Sequence, residues 1–251
     1  MIYKNITDSE LMDVSREIRN GKIVVFPTET VYAIGVNGLD EKTIRRLYEV
    51  KQRDITKPIN LIVSSLEMIN MIAKDITPLE YKIIKEFLPG PLTIILKKKN
   101  IVPNVLTNGG DTVGIRMPEN DIALKLSKYS NTPIAAPSAN ISNRPSGTNI
   151  KSIYNDFHDN VDIYIDDGES KFGIASTIVK VENNEIKILR EGPITLNDIK
   201  NKISMWHVYF LKWLFMVSRR AKRTLGMSYS NVAKKINNLY LEEIENKKTK
   251  C

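Results

Sequence analysis

Val25-Phe26-Pro27-Thr28-Glu29-Thr30-Val31-Tyr32-Ala33-Ile34-Gly35 is the segment from which the rest of this chain is read. The apolar run Ile23 to Phe26 predicts a buried strand, and Thr28, Glu29 and Thr30 set four side-chain oxygens at its end. In α/β sheets ligands settle at strand ends, where hydroxyls and backbone amides suit a small polar molecule. A threonine-rich turn closed by its own side chains explains the same residues without any ligand. The choice turns on the segments further along.

Around this segment the chain has 251 residues, enough to bury a sizeable core as one large domain or one domain with an appendage. Hydrophobic residues at 42% and charged residues at 26% give the balance of a soluble globular protein. The single cysteine, Cys251, excludes an intramolecular disulfide and a cysteine metal cluster. Only two histidines, His158 and His207, argue against zinc chemistry and a histidine-based triad. No protein metal ligand is assigned. The first residues lack the apolar core of a signal peptide, so the cytoplasm is the expected compartment.

The net charge of +8 is unevenly spread: residues 1–204 carry 27 Lys+Arg against 26 Asp+Glu, and residues 205–251 carry 10 against 3. A nearly neutral domain lacks the clustered cations of a broad nucleic-acid footprint. We therefore expect a domain over 1–204 and a basic helical tail over 205–251. The tail's apolar stretch, Trp206 to Val217, is too short to span a membrane. Its later part sets Val232, Ile236, Leu239 and Ile244 on one helical face, which suits a surface-packed helix pair or a basic anchor for membrane or RNA.

Hydrophobic spacing predicts helices over 7–20, 41–50, 77–88 and 121–130. Strands are predicted over 22–27, 61–63, 92–96, 112–117, 134–136 and 161–165, with a hairpin of 177–181 and 185–189 around Asn183-Asn184. Helices interleave with strands while the last two strands pair directly, so the sheet is mixed α/β. No glycine-rich phosphate loop of the Walker type occurs.

Several residues could carry chemistry. Lys51, Arg53 and Lys57 crowd one helix-to-strand loop, as a solvated surface or as an anion cradle. Ser138 and Asn140, two apart after Ile134-Ala135-Ala136, share one side of an extended segment; they suit a phosphate or ribose, or a self-capped turn. Arg116 sits among apolar neighbours and needs a carboxylate, from a ligand or from an internal acid such as Glu29.

In order, FPTETVYAIG (Phe26 to Gly35), Lys51-Gln52-Arg53, Lys57-Pro58, Pro89 to Thr93, Asp111-Thr112 with Val113 to Pro118, Ala136 to Asn140, Arg144-Pro145-Ser146, Ser176-Thr177-Ile178 and Leu189 to Gly192 resemble the YrdC-like family of L-threonylcarbamoyladenylate synthases. The resemblance spans roughly residues 10–195 and is to the short form, without the larger C-terminal domain. It implies an open, twisted mixed α/β sheet with flanking helices and a concave ligand-binding face. It also implies a reaction: ATP, bicarbonate and L-threonine give threonylcarbamoyl-AMP and pyrophosphate, with Mg2+, for a separate transferase that modifies tRNA. By position, Thr30, Arg116, Ala136 (through its backbone) and Ser176 would hold threonine. Lys51, Arg53, Lys57, Thr112, Ser138, Asn140, Ser146 and Arg190 would contact ATP, with Lys51 and Arg53 offsetting charge during the reaction. No covalent nucleophile is expected. Ala33, Ile62 and Ala175 depart from the pattern, where a glycine, a histidine and an acid or proline are common.

Two other functions compete. A double-stranded RNA or tRNA-binding module of the same fold, without synthase activity, would use the basic tail. A carbamoyl-transfer domain of hydrogenase maturation proteins would bring further regions, for which the chain has neither the length nor the cysteines.

Overall fold

Thr7 and Glu10 start the first helix as a reciprocal cap: the Thr7 N–H donates to Glu10 Oε2 at 2.8 Å and the Glu10 N–H to Thr7 Oγ1 at 3.3 Å. The computed structural model describes residues 1–204, of which Met1–Ile199 forms one compact unit. The basic tail expected over 205–251 lies outside the described residues.

In chain order the elements are β1 (Ile2–Lys4), α1 (Asp8–Arg19), β2 (Val24–Phe26), β3 (Ala33–Asn37), α2 (Glu41–Val50), β4 (Leu61–Ile62), α3 (Leu66–Ile72), α4 (Pro78–Phe87), β5 (Leu92–Lys97), α5 (Asn104–Thr107), β6 (Thr112–Arg116), α6 (Asp121–Ser130), β7 (Ile134–Ala135), α7 (Ile150–Phe157), β8 (Ile163–Asp166), β9 (Thr177–Glu182) and β10 (Glu185–Arg190). The ten strands form one sheet in the order β1-β8-β2-β3-β7-β4-β6-β5-β9-β10. Parallel pairs (β4 with β6, β5 with β9) alternate with antiparallel ones (β4 with β7, β5 with β6), which is the expected mixed sheet.

Leu11, Val14 and Ile18 of α1 pack with Ala123 and Leu126 of α6 against Val24 and Phe26 of β2 and Ile134 of β7. Each large apolar side chain so buried contributes about 1.5–3 kcal/mol. Thr77 and Glu80 cap α4 as Thr7 and Glu10 cap α1, with Pro78 at the first turn. Asn183 and Asn184, both at positive φ (52° and 62°), make the turn between β9 and β10.

β3 is absent from the sequence reading, which sees only a turn before α2. It lies antiparallel against β2, with Phe26 opposite Ala33. Gly35 is required in it, because a Cβ there would meet Ile134 Cγ2 at 2.6 Å and Phe26 Cε1 at 2.8 Å. No helix among the described residues is long and apolar enough to cross a membrane.

Candidate active site

Two strand registers build the floor of a cleft. Ile62 of β4 stands opposite Arg116 of β6. The pairing of Ile94 with Ile115, carried one step further, sets Thr93 of β5 opposite Arg116 on its other side. Directly opposed residues share a face, so Ile62, Arg116 and Thr93 form a row across three strands. All three line a cleft of about 640 Å³, open mouth included. Its walls come from the turn after β2 (Thr30 to Ala33), the loop before β4 (Arg53, Pro58 to Asn60), the segment after β7 (Ala136 to Ser138), Ala175 and Ser176 before β9, and Arg190 at the end of β10.

Arg116 is held at the floor by an internal acid. Its Nη2 donates to Glu29 Oε2 at 2.7 Å and to Thr28 Oγ1 at 3.3 Å, with side-chain exposures of 10% for Arg116 and 4% for Glu29. The pair is singly bonded, leaving Arg116 Nε and Glu29 Oε1 buried without a partner. Burial lowers the Arg116 pKa, and Glu29 offsets that in part.

The threonines of the turn are polarised. Thr28 gives its one hydroxyl hydrogen to the Val31 carbonyl at 2.6 Å. In the 2.9 Å contact between Thr28 Oγ1 and Thr30 Oγ1, Thr30 is therefore the donor. That leaves Thr30 with lone pairs to offer, which suits an amine or hydroxyl donor. Across the cleft, Ser176 Oγ lies 2.8 Å from Thr93 Oγ1 and accepts from Arg190 Nη2 at 3.1 Å. Arg190 also donates through Nε and Nη2 to the Ser176 carbonyl at 3.0 and 2.8 Å. Gly192 allows this clamp, since a Cβ there would lie 2.4 Å from the Thr177 nitrogen.

Burial, then Arg116 and Arg53, lower the Arg190 pKa, so the Arg190 guanidinium feels the other two around the cleft. Arg53 donates through Nε to the Lys57 carbonyl at 3.2 Å and through Nη2 to the Pro58 carbonyl at 2.9 Å, neither of which neutralises its charge. Among the described residues, no acidic side chain lines the cleft.

The structure brings together Thr30, Arg53, Arg116, Ala136, Ser138, Ser176 and Arg190 from the expected set. It sets the three cations of the 51–57 loop in three different surroundings. Gln52, in the left-handed region (φ 49°), turns the chain between Lys51 and Arg53. Lys51 points inward, is 1% exposed, and donates to the Ser138 and Asn140 carbonyls at 2.5 Å each. Its ammonium also lies 5.9 Å from the Phe157 ring centre. Burial, with Arg53 adding to it, lowers its pKa to about 7. Lys57 is exposed just before Pro58.

Ser138 and Asn140 form the self-capped turn: Ser138 Oγ donates to Asn140 Oδ1 at 2.6 Å, and Asn140 Nδ2 donates to the Ile141 and Arg144 carbonyls at 3.0 and 2.7 Å. Ser138 still borders the cleft; Asn140, 8% exposed, does not. Ser146 is half-buried beside Gly147, whose carbonyl accepts from the Tyr32 N–H at 3.1 Å. Thr112 begins β6, four residues before Arg116 and thus about 13 Å along the strand, outside the lining.

Sequence reasoning passed over Thr93, Tyr32 and Asn60. Tyr32 had a signal, an aromatic in the opening motif; its hydroxyl accepts from the Asp167 N–H at 3.0 Å, donates to the Gly168 carbonyl at 2.8 Å, and has its pKa pushed up to about 12 by burial. Asn60 had none. Its amide oxygen fits only because Gly114 opposite lacks a Cβ.

A family model, Sua5_yciO_yrdC, described as Telomere recombination, matches residues 16–192. The threonylcarbamoyl-AMP synthase of Pyrococcus abyssi is 40% identical over 216 residues, covering 86% of this chain and 63% of the relative. A putative threonylcarbamoyl-AMP synthase of Methanocaldococcus jannaschii is 40% identical over 186 residues, covering 74% of this chain and 87% of the relative. The crystal structure of P. abyssi Sua5 complexed with L-threonine matches with a TM-score of 0.78 at 40% identity, over 81% of this chain and 61% of that one. The chain thus spans under two thirds of the P. abyssi protein's length.

Proposed function

The chain belongs to the Sua5_yciO_yrdC family, and from that membership we propose that it is a threonylcarbamoyl-AMP synthase, converting L-threonine, bicarbonate and ATP to threonylcarbamoyl-AMP and pyrophosphate. One observation carries the reading. Three guanidiniums, Arg53, Arg116 and Arg190, surround a cleft, and among the described residues only Arg116 of the three is ion-paired, to Glu29. Such a cleft favours anions, and ATP and an amino-acid carboxylate are both anions.

Threonine fits the floor. Its carboxylate would take Arg116 Nε and the hydroxyl of Ser176, and its amine the lone pairs of Thr30, with the Ala136 backbone alongside. The triphosphate would take Arg53 and Arg190, with Ser138 at the wall and Lys57 and Ser146 flanking. Lys51 and Asn140 serve ATP indirectly, by fixing the turn that carries Ser138. Thr112 has no role in this reading.

The amine nitrogen bonds to the carbon of bicarbonate, or of the carbon dioxide derived from it, with loss of water, and an oxygen of the resulting carbamate attacks the α-phosphorus as pyrophosphate leaves. Positioning and charge neutralisation carry that chemistry. The Mg2+ expected with ATP would enter with that substrate. The product would pass, in the cytoplasm, to a separate transferase acting on tRNA.

Pyrophosphate release tests the proposal, with threonine, bicarbonate and ATP each omitted in turn. Release should require all three. Release that persists without threonine overturns it.

A further inference from the structure

Thr93 ends the segment Pro89 to Thr93, which the sequence singles out and the reading above leaves without a role. It is closed to solvent, borders the cleft, and has Ser176 Oγ as its one side-chain hydrogen-bond partner among the described residues. Ser176 Oγ also accepts from Arg190.

Counting hydrogens settles what this pair can offer. Two hydroxyls carry two hydrogens, and the bond between them uses one, whichever residue donates. Arg190 is a donor only, so it takes none. One hydroxyl hydrogen is left over. Thr93 is closed to solvent while Ser176 keeps a small exposure at the cleft wall, so Thr93 spends its hydrogen on Ser176 and Ser176 turns its own towards the cleft. The guanidinium behind the pair polarises it towards donation, as in any hydrogen-bonded chain headed by a cation. The wall therefore presents one strong donor that needs an acceptor.

That donor stands beside a second. Thr93 and Arg116 are opposed across β5 and β6, and the Arg116 Nε is buried without a partner. Two donors side by side match the two oxygens of a carboxylate. We propose that Thr93 is a positioning residue: by donating to Ser176 it aims the Ser176 hydroxyl hydrogen, beside Arg116, at the carboxylate of the amino-acid substrate. The assignment rests on the synthase reading, and phosphate is the competing acceptor.

Thr93→Val keeps the shape and deletes the hydroxyl. It should raise the threonine KM about three- to tenfold, because Ser176 keeps its hydrogen but loses the partner that aims it, while the ATP KM and kcat stay within about twofold. Thr93→Ser should restore the threonine KM. In a Ser176→Ala background, Thr93→Val should cost less than about twofold more, because there is then no hydroxyl for Thr93 to aim; a purely structural threonine would cost the same in both backgrounds. Thr93→Ala carries the same expectations if the valine variant does not fold. An unchanged threonine KM, or an effect that adds fully to Ser176→Ala, overturns the proposal. A rise in the ATP KM instead assigns the donor to phosphate and overturns the carboxylate. Wild-type protein with no threonine-dependent pyrophosphate release sinks the synthase reading and this assignment together, whereas an active wild type with an indifferent Thr93→Val sinks this assignment alone.

Discussion

Arg116 and Arg53 reach the same cleft from opposite kinds of support. Arg116 projects from β6, with neighbours on both sides and its charge matched by Glu29 at 2.7 Å. Arg53 leaves the loop after α2 and folds back onto the carbonyls of Lys57 and Pro58, which are neutral. The strand-borne half has its charge balanced before any ligand arrives, with Arg116 Nε still unpartnered. The loop-borne half holds Arg53 in place but leaves its charge, like that of Arg190, to be met by something else. Under the synthase reading, such a cleft would hold a small zwitterion on rigid strands and draw a polyanion to its loops.

The comparison is broken most directly at Arg116. Arg116→Met leaves Glu29 buried without a counter-charge, so stability should fall by about 3–5 kcal/mol and threonine-dependent turnover by about a thousandfold. Adding Glu29→Leu removes the orphaned charge and should recover most of the stability with none of the turnover. Thermal unfolding and pyrophosphate release separate the two. If the double variant recovers turnover as well, Arg116 serves the fold alone.

Arg53→Ala is the matching test of the loop half. It should cut turnover about a hundredfold while melting stays close to wild type, because no buried partner is orphaned. Retained pyrophosphate release would remove Arg53 from the phosphate side. A large melting loss would erase the contrast with Arg116.

These two halves were unequally legible in the sequence. The strand half was written in local signals: apolar runs gave β2, β5 and β6, and a lone arginine among apolar neighbours demanded a carboxylate, with Glu29 named as one of two sources. The caps of α1 and α4 were readable because Thr and Glu stand three apart in both. β3 was not, since Ala33 and Gly35 are weak strand formers and its position depends on Phe26 and Ile134 packing against a missing side chain. The loop half is not legible at Lys51, whose inward direction the sequence does not carry. Spacing on a loop says nothing of direction, and a glutamine at positive φ carries no mark in the sequence. Thr93 was quoted within a motif yet passed over, because its meaning depends on Ser176, 83 residues away.

Lys51 offers the sharpest reading of how the loop half is tied down, because its effect is read against pH. A neutral amine has two hydrogens, and Lys51 has two carbonyl acceptors, so the uncharged form satisfies the site. Burial and Arg53 lower its pKa to about 7 from an ordinary 10.5. Between those values the unfolded chain holds a proton that the folded one has shed, so stability rises with pH across that window. Below it both states are protonated and the cost of burying the charge is borne in full. Measured as melting temperature, the difference between wild type and Lys51→Met should therefore shift in favour of wild type from about pH 7 to pH 10. Because Arg53 is the second cause of the shift, Arg53→Ala should move the start of the window to higher pH. A difference that stays flat across this range means the amine keeps its proton when folded, and Lys51 then returns to the phosphate cradle that the sequence first suggested.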